Sequence, residues 1–269
     1  MPASRSTARA PKPAASFNLR WPLITLGVLI VAGFLIVALP ASLVARFLPH
    51  NITARDFSGT LWHGSAASVT FNGRNAGAVE WRIHPASLLT LMLNAEVRWV
   101  KNASAYDARV EITRHAVHAY QVQGGGPVAD LRDFGIAAGW RGNLKVALPE
   151  VASDYHKLTA LSGTVQASEL TSPQVLAASD LGGYQIDFAP NAMSGEGNLA
   201  ASLADTGTGP VETHAQITFN VLTGTGLLSG TLRERPGASA ALHQQLDNLA
   251  QLKPRDAQGR IPVELEFSL

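Results

Sequence analysis

The stretch GAVEWRIH, residues 77–84, alternates large apolar side chains with charged or polar ones. The two kinds fall on opposite sides of the chain, Val79, Trp81 and Ile83 against Glu80, Arg82 and His84. Successive side chains of a strand point to opposite faces, so this period of two predicts a strand with one apolar and one polar face. Strands of this kind are typical of antiparallel sheets.

Five further segments show the same alternation. Their apolar positions are Val110 and Ile112; Leu144, Val146 and Leu148; Tyr184, Ile186 and Phe188; Ile217, Phe219 and Val221; and Ile261, Val263, Leu265, Phe267 and Leu269. Asn72-Gly73, just before the first stretch, is a hairpin signal. The chain is therefore predicted to be mainly β, a long curled antiparallel sheet with few short helices.

A recurring tripeptide supports the curled sheet. Ser-Gly-Thr occurs at residues 58–60, 162–164 and 229–231, with a looser copy, Ser-Gly-Glu, at 194–196. A glycine inside a strand marks a bend or bulge, and similar strands laid side by side would also repeat such a phrase. The irregular spacing excludes a tight solenoid.

Two segments have helical patterns. Pro85–Leu93 predicts a short helix after a strand. Ser239–Leu252 predicts a longer one, because Leu242, Leu246, Leu249 and Leu252 share one face and Pro236-Gly237 precede it.

The N-terminal segment predicts a membrane anchor. Residues 21–39, WPLITLGVLIVAGFLIVAL, carry no charge and as a helix would reach about 28 Å, close to the hydrocarbon thickness of a bilayer. Four basic residues precede this run and Arg46 alone follows closely, which places the N-terminus in the cytoplasm. A cleaved signal peptide would have a shorter apolar region and small residues at its cleavage site. We therefore expect a disordered cytoplasmic tail (1–20), a retained transmembrane helix (21–43) and a periplasmic β-domain (44–269).

Composition argues against several function classes. The chain has no cysteine, so disulfides, thiolate catalysis and cysteine-based metal sites are absent. Residues 47–269 hold 16 of the 21 basic residues against all 20 acidic ones, so this acidic body gives no reason to bind nucleic acid. The sequence has no metalloprotease helix motif, phosphate loop or nucleophile elbow. Neither an enzyme nor a cofactor is expected.

Two pairs of residues could still suggest a metal site. His115 and His118, three positions apart, would point opposite ways on the strand that the surrounding alternation favours. Asp130 and Asp133 could coordinate an ion, but a capped loop is the simpler interpretation. Neither pair predicts a bound metal.

Two motifs together resemble those of the type II secretion system protein N family. The first is GTLWHGSA at 59–66, whose family pattern contains Gly59, Thr60, Trp62, Gly64 and Ala66; it is followed by GAVEWRIHPASLL at 77–89, with Gly77, Val79, Trp81, Pro85, Leu88 and Leu89. A leucine-rich helix and then Gly259-Arg260 leading into a last strand also resemble the family's C-terminal end. The resemblance covers residues from about 41 to 269.

This resemblance implies an inner-membrane accessory protein of the machine that exports folded proteins across the outer membrane of Gram-negative bacteria. It further implies kinship with AsmA-like envelope proteins, whose sheets form an apolar-lined groove or open barrel. Other secretion-system proteins and inner-membrane lipid are the expected partners.

The motif at 59–66 is interpreted as architectural. Trp62 and Trp81 are expected on neighbouring strands with their rings on the covered face, and His63 on the opposite face. Two functions remain open: a structural component that contacts other secretion proteins, and a groove that holds acyl chains. An uncovered apolar face would favour the second.

Overall fold

A computed structural model describes residues 33–134, 136, 138–155, 157–172, 180–190, 192–193 and 197–268. These residues form 13 strands in one antiparallel sheet. The strands are β1 (Ile52–Gly59), β2 (His63–Phe71), β3 (Arg74–His84), β4 (Leu93–Lys101), β5 (Ser104–Ile112), β6 (Val117–Pro127), β7 (Arg141–Ser153), β8 (Leu158–Thr171), β9 (Asp180–Phe188), β10 (Asn198–Asp205), β11 (Val211–Asn220), β12 (Thr225–Glu234) and β13 (Ile261–Ser268).

Helices are short and few in the described chain. Besides the helical residues 33–37, three 3-10 helices span Ala41–Phe47, Pro85–Thr90 and Val128–Phe134, and the α-helix α1 spans Ala240–Leu252. The α-helix begins after Ser239, whose side chain accepts a hydrogen bond from the backbone N–H of Leu242. The predicted helix after β3 is therefore a 3-10 helix, and the leucine-rich helix is confirmed.

The sheet is a meander in strict chain order, because each strand pairs with the strand before it and the strand after it. At its edges β1 pairs with β2 and β13 pairs with β12. Among the described residues these two edge strands do not pair with each other, so the sheet is open. The prediction of a mainly β, antiparallel sheet is confirmed.

The two faces of the sheet are those that the alternation predicts. Trp81 lies opposite Val97 on β4, and Val79 lies opposite Trp99, so apolar side chains form rows across neighbouring strands. Trp81 is buried, whereas Glu80 on the other face is exposed. Cross-strand pairing of large apolar side chains is what holds such a register.

One glycine of the recurring tripeptide marks a bulge, as expected. Gly163 lies inside β8 with φ +121°, opposite a register shift between Ala147 and Glu150 on β7. A bulge lets one strand carry an extra residue and increases its local twist. The looser copy at 194–196 lies outside the described residues.

The two ends of the sheet differ. We call the end where odd-numbered strands finish and even-numbered strands begin the proximal end, and the opposite end the distal end. Pro40 pairs with Thr60 in an isolated bridge at the proximal end. The 3-10 helix Ala41–Phe47 follows, and β1 begins at the distal end with Ile52 opposite Phe71. The chain thus joins the β unit at its proximal end.

The predicted tail (1–20) and most of the predicted anchor (21–43) lie outside the described residues. Residues 33–37 are helical, and Ala41 is buried against the sheet. Residues 41–43 of the predicted span therefore belong to the 3-10 helix of the β unit. Within the described part of the chain, no helix combines the length and the apolar character needed to cross a membrane.

Candidate functional site: the apolar face of the sheet

Trp81 is the centre of the buried cluster at the β1 edge of the sheet. Its side chain packs with the buried Ala41 and Ala66. The ring of Phe57 meets it edge to face, with centroids 6.3 Å apart. The indole Nε1–H donates to the backbone oxygen of Leu61 over 2.9 Å, so the buried ring leaves no unpaired polar group. The second motif therefore supplies the core of the first three strands.

Gly64 creates the space that the Trp81 ring occupies. A Cβ atom added at Gly64 would lie 2.8 Å from Cζ2 of Trp81 and 2.6 Å from the backbone oxygen of Thr60. Gly59, at the end of β1, has φ +82°, a conformation that glycine adopts at low cost. Thr60 closes the turn, since its backbone N–H donates to the oxygen of His63 over 2.9 Å. These small residues form a tight turn beside the tryptophan.

Trp62 differs from the expectation. It lies in the bend just before β2 rather than on a strand, and it is half-buried. Its backbone oxygen accepts from the N–H of Ile83 over 2.7 Å, which extends the ladder with β3. The bend follows from the tight turn at Gly59, which leaves no room for a further strand residue. His63 starts β2 and is exposed opposite Arg82, on the polar face as predicted.

The remaining residues of the second motif extend along β3 and past its end. Gly77 has φ +93°, and an added Cβ would lie 2.4 Å from the oxygen of Val100. Val79 packs half-buried against the Trp81 cluster. Pro85 is exposed and begins the 3-10 helix that also contains Leu88 and Leu89. The side chains of these two leucines lie outside what the structure describes.

Gly259 and Arg260 lie at the opposite edge of the sheet, before β13. Gly259 has φ +73°. Arg260 donates from Nε to Oδ2 of Asp256 over 2.8 Å, and its backbone N–H donates to Oδ1. The backbone N–H of Arg260 makes the largest contribution to lowering the pKa of Asp256. The structure therefore does not bring this pair together with the Trp81 cluster; it fixes the turn into the last strand.

The helix α1 closes the distal end of the apolar face near β13. Leu242 and Leu246 are buried with Ile261, and Leu181 and Val211 pack around them. Leu249 also contacts this cluster. Leu252, which we expected on the same stripe, is exposed because the helix ends there and the chain turns away. The predicted leucine stripe is thus correct for three of its residues.

A second closure, which the sequence analysis missed, lies at the distal ends of β3–β5. Lys101 is buried at the end of β4, on the apolar side. Its Nζ donates to the backbone oxygen of Asn75 over 2.8 Å and pairs with Oδ2 of Asp133 at 2.6 Å. The Lys101 ammonium also lies 5.1 Å from the ring centroid of Phe134. The 3-10 helix Val128–Phe134 is therefore fixed over the end of the apolar face.

Asp130 attaches the same helix to the turn between β4 and β5. Its carboxylate accepts from Ser104 Oγ over 2.8 Å, Asn102 Nδ2 over 3.0 Å and the Ala103 N–H over 3.2 Å. Burial alone would raise the pKa of Asp130, but these hydrogen bonds hold it below its usual value. Asp130 and Asp133 both accept hydrogen bonds that fix this helix, which agrees with the capped-loop interpretation. Across the described residues, no group of three or more His, Asp or Glu side chains is placed to hold a metal ion.

A signal for this closure was present in the sequence. Lys101 has the same strand parity as Val97 and Trp99, so it occupies an apolar-face position. A charge in such a position needs a partner, and the acidic ADLRDF segment supplies one. Beside the closure helix, the sheet carries an open depression of about 430 Å³, lined by Ile52, Val69, Phe71, Ala76, Trp99, Leu131 and Phe134.

We expect acid to loosen this closure. The hydrogen bond from Lys101 is the largest cause of the lowered pKa of Asp133. The stabilisation is thus present above the unfolded-state pKa of about 4 and is lost as the pH falls through the folded-state value. Asp133→Asn should melt below the wild type at neutral pH, and the difference should shrink in acid. Asp107→Asn, at an exposed pair with Arg98, is the control. Parallel pH profiles for Asp133→Asn and wild type would contradict the assignment.

Between the closures the apolar face is incompletely covered. The row Val110, Ala119, Val151 and Leu161 crosses β5–β8, and each of these side chains is only half-buried. The helix Ala41–Phe47 and α1 bury residues near the two edges of the sheet, by the Trp81 cluster and by Ile261, and the helix Val128–Phe134 lies at the distal end. The central strands therefore present apolar side chains that the described residues do not bury.

Comparison with known proteins identifies the family. The family described as type II secretion system (T2SS), protein N, matches residues 50–264.

The chain belongs to the type II secretion system protein N family.

Curated relatives bear the same name. A type II secretion system protein N from Klebsiella pneumoniae is 26% identical over 258 residues, covering 89% of this chain and 93% of that protein. The Vibrio cholerae protein is 35% identical over 57 residues, 21% of this chain and 23% of its own length. The Aeromonas hydrophila protein is 34% identical over 70 residues, 25% and 28% of the two lengths. No solved structure matches this chain.

Proposed function

We propose that this protein is a non-enzymatic accessory component of the type II secretion system, held in the inner membrane by one N-terminal helix. Its role would be to contribute to the assembly or stability of the machine that moves folded proteins across the outer membrane. The observation that carries the proposal is the family match across nearly the whole β unit. The relative from Klebsiella pneumoniae, aligned over 89% of this chain, supports it.

The topology of the proposal follows from charge. Four basic residues precede the uncharged run at 21–39, so the tail is cytoplasmic and the β unit periplasmic. Reporters that act in one compartment alone, fused after residue 269, test this arrangement. We expect activity from the periplasmic reporter. Activity from the cytoplasmic reporter alone would reverse the orientation, and a mature N-terminus near residue 46 would show that the anchor is cleaved.

The secretion role requires its own experiment. In a strain that lacks the protein, we expect exported enzymes to accumulate in the periplasm, and the wild-type gene should restore their release. Crosslinkers placed on the exposed polar face, at Glu80 or Arg98, should capture other secretion-system proteins. Unchanged export without the protein, together with no secretion-system protein among the crosslinked products, would refute the proposal.

A second candidate function is supported by the half-buried apolar row across β5–β8 and by the open apolar depression beside the distal closure. Such a face matches the chemistry of acyl chains, as in the AsmA-like groove that the sequence resemblance implies. In this alternative the protein would bind or transfer envelope lipid. The assembly role is preferred because it follows from the family, and the lipid role is tested with the Leu246 variant below.

A further inference from the structure

The proximal end of the sheet exposes large apolar side chains at the turns between strands. Leu91, after β3, is 76% exposed, and Leu222, after β11, is 61% exposed. Met92 and Tyr155 are also exposed at this end. A single exposed apolar residue is ordinary on a protein surface, but here they lie on three separate turns that share one end.

The backbone at two of these turns is unfavourable for the residues that occupy it. Leu91 has φ +57° and Tyr155 has φ +69°. At the distal end, the corresponding tight turns carry asparagine at positive φ, Asn72 (+50°) and Asn102 (+51°). Asparagine and glycine adopt this conformation readily, whereas bulky side chains do so at a cost. Leu91 and Tyr155 therefore occupy positions where the backbone alone would select against a bulky side chain, and the Tyr155 hydroxyl also donates to the backbone oxygen of Thr113 over 2.5 Å.

The chain also reaches the β unit at this end. Pro40, paired with Thr60, is bonded directly to Leu39, the last residue of the uncharged run at 21–39. The segment that the sequence marks for the membrane is thus joined to the β unit at the end that carries the exposed side chains. Arg114 and Lys157, on turns of the same end, are exposed and add positive charge. Basic side chains favour the surface of a membrane that contains anionic lipid.

We propose that the proximal end is a membrane-contact surface, with Leu91, Tyr155 and Leu222 entering the boundary between phospholipid headgroups and acyl chains. The contact rests on the proposed inner-membrane anchoring and adds a second attachment to it. An anchor helix alone would leave the β unit free to tilt and rotate. Apolar side chains on several turns hold the proximal end against the bilayer, as they do for interfacial amphipathic elements. The distal closure and α1 then lie on the side away from the membrane.

The absence of cysteine from the chain allows an unambiguous test. Single-cysteine variants Leu91→Cys and Leu222→Cys of the full-length protein are labelled with an environment-sensitive fluorophore. They are reconstituted in vesicles of phosphatidylethanolamine and phosphatidylglycerol, with or without bromine on the acyl chains. Phe47→Cys and Leu252→Cys are matched controls, because both residues are 81% exposed. Phe47 lies on the segment that leads to the start of β1, and Leu252 on the segment that leads to the start of β13, and both strands begin at the distal end.

Brominated lipid should reduce the fluorescence at positions 91 and 222 by about half or more, with little change at 47 and 252. Equal quenching at both ends, or no quenching at 91 and 222, would overturn the proposal; the second result would leave these turns to a protein partner. Flotation of the same vesicles reports anchoring separately. Protein that does not float shows failure of the anchor, whereas protein that floats with unquenched labels shows failure of the contact surface alone.

Discussion

Replacement of Trp81 by alanine is expected to lower the free energy of unfolding by about 3–5 kcal/mol. The ring fills the space between Ala41, Ala66 and Phe57, and the glycine at 64 leaves the neighbouring strand nothing with which to refill it. Urea unfolding of the purified protein measures the change. It is monitored by circular dichroism rather than by tryptophan fluorescence, because the substitution removes a tryptophan. A domain of this size has a total stability of about 5–15 kcal/mol, so the variant should also be degraded in cells.

Two further substitutions separate the causes of that loss. Glu80→Ala, one residue away on the exposed face, should stay within about 0.5 kcal/mol of the wild type. Trp81→Phe keeps much of the ring but leaves the oxygen of Leu61 without its indole donor, which should cost more than the Glu80 change. Equal stability of the Glu80 and Trp81 alanine variants would mean that the two faces of β3 are assigned the wrong way round.

Leu246→Ala is the second large expected effect. It should lower the free energy of unfolding by about 2–5 kcal/mol, because Leu246 on α1 is buried against Ile261. Gln245→Ala, exposed on the same helix, is the control and should be nearly neutral. If α1 is a permanent part of the core, the melt of the Leu246 variant shifts strongly and native mass spectrometry detects no bound lipid in either form.

The same experiment discriminates the two functions. If α1 instead acts as a gate over a lipid-holding face, the Leu246 substitution should expose that face while the fold survives. Co-purified phospholipid in either form, with a melt close to that of the wild type, would contradict the assembly-only account. A control melt after delipidation by detergent would show whether bound lipid had hidden a loss of stability.

The strands that the sequence predicted are those with large, regularly alternating side chains. β3 and β13 were recognised because valine, isoleucine or tryptophan recurs at every second position. β10 and β12 were not, since glycine, alanine, serine and threonine make up half of the residues of each and give little contrast between faces. In these strands the neighbours determine the structure: Gly230, for example, fits against Ala215 so closely that an added Cβ would lie 2.4 Å from its methyl group.

The site was predicted in part for similar reasons. The Trp81 cluster follows from local alternation and the hairpin, both of which are visible in a short window of sequence. The distal closure joins Lys101 to Asp133, 32 positions later, and depends on how β4, β5 and β6 are placed side by side. The bend at Trp62 depends on the left-handed backbone at Gly59, and alternation alone carries no information on that conformation.

The unbroken strand order has a consequence for how the protein is made. Every strand pairs with the strand that was synthesised just before it, so no strand waits for a distant part of the chain. Contacts between sequence neighbours form rapidly because the loops to be closed are short. If the β unit is exported to the periplasm as proposed, it can therefore fold in the direction of its emergence, adding one hairpin at a time to a growing sheet edge. Folding ends when α1 and β13 are added, and β13 then stays as one of the two open edges of the finished sheet.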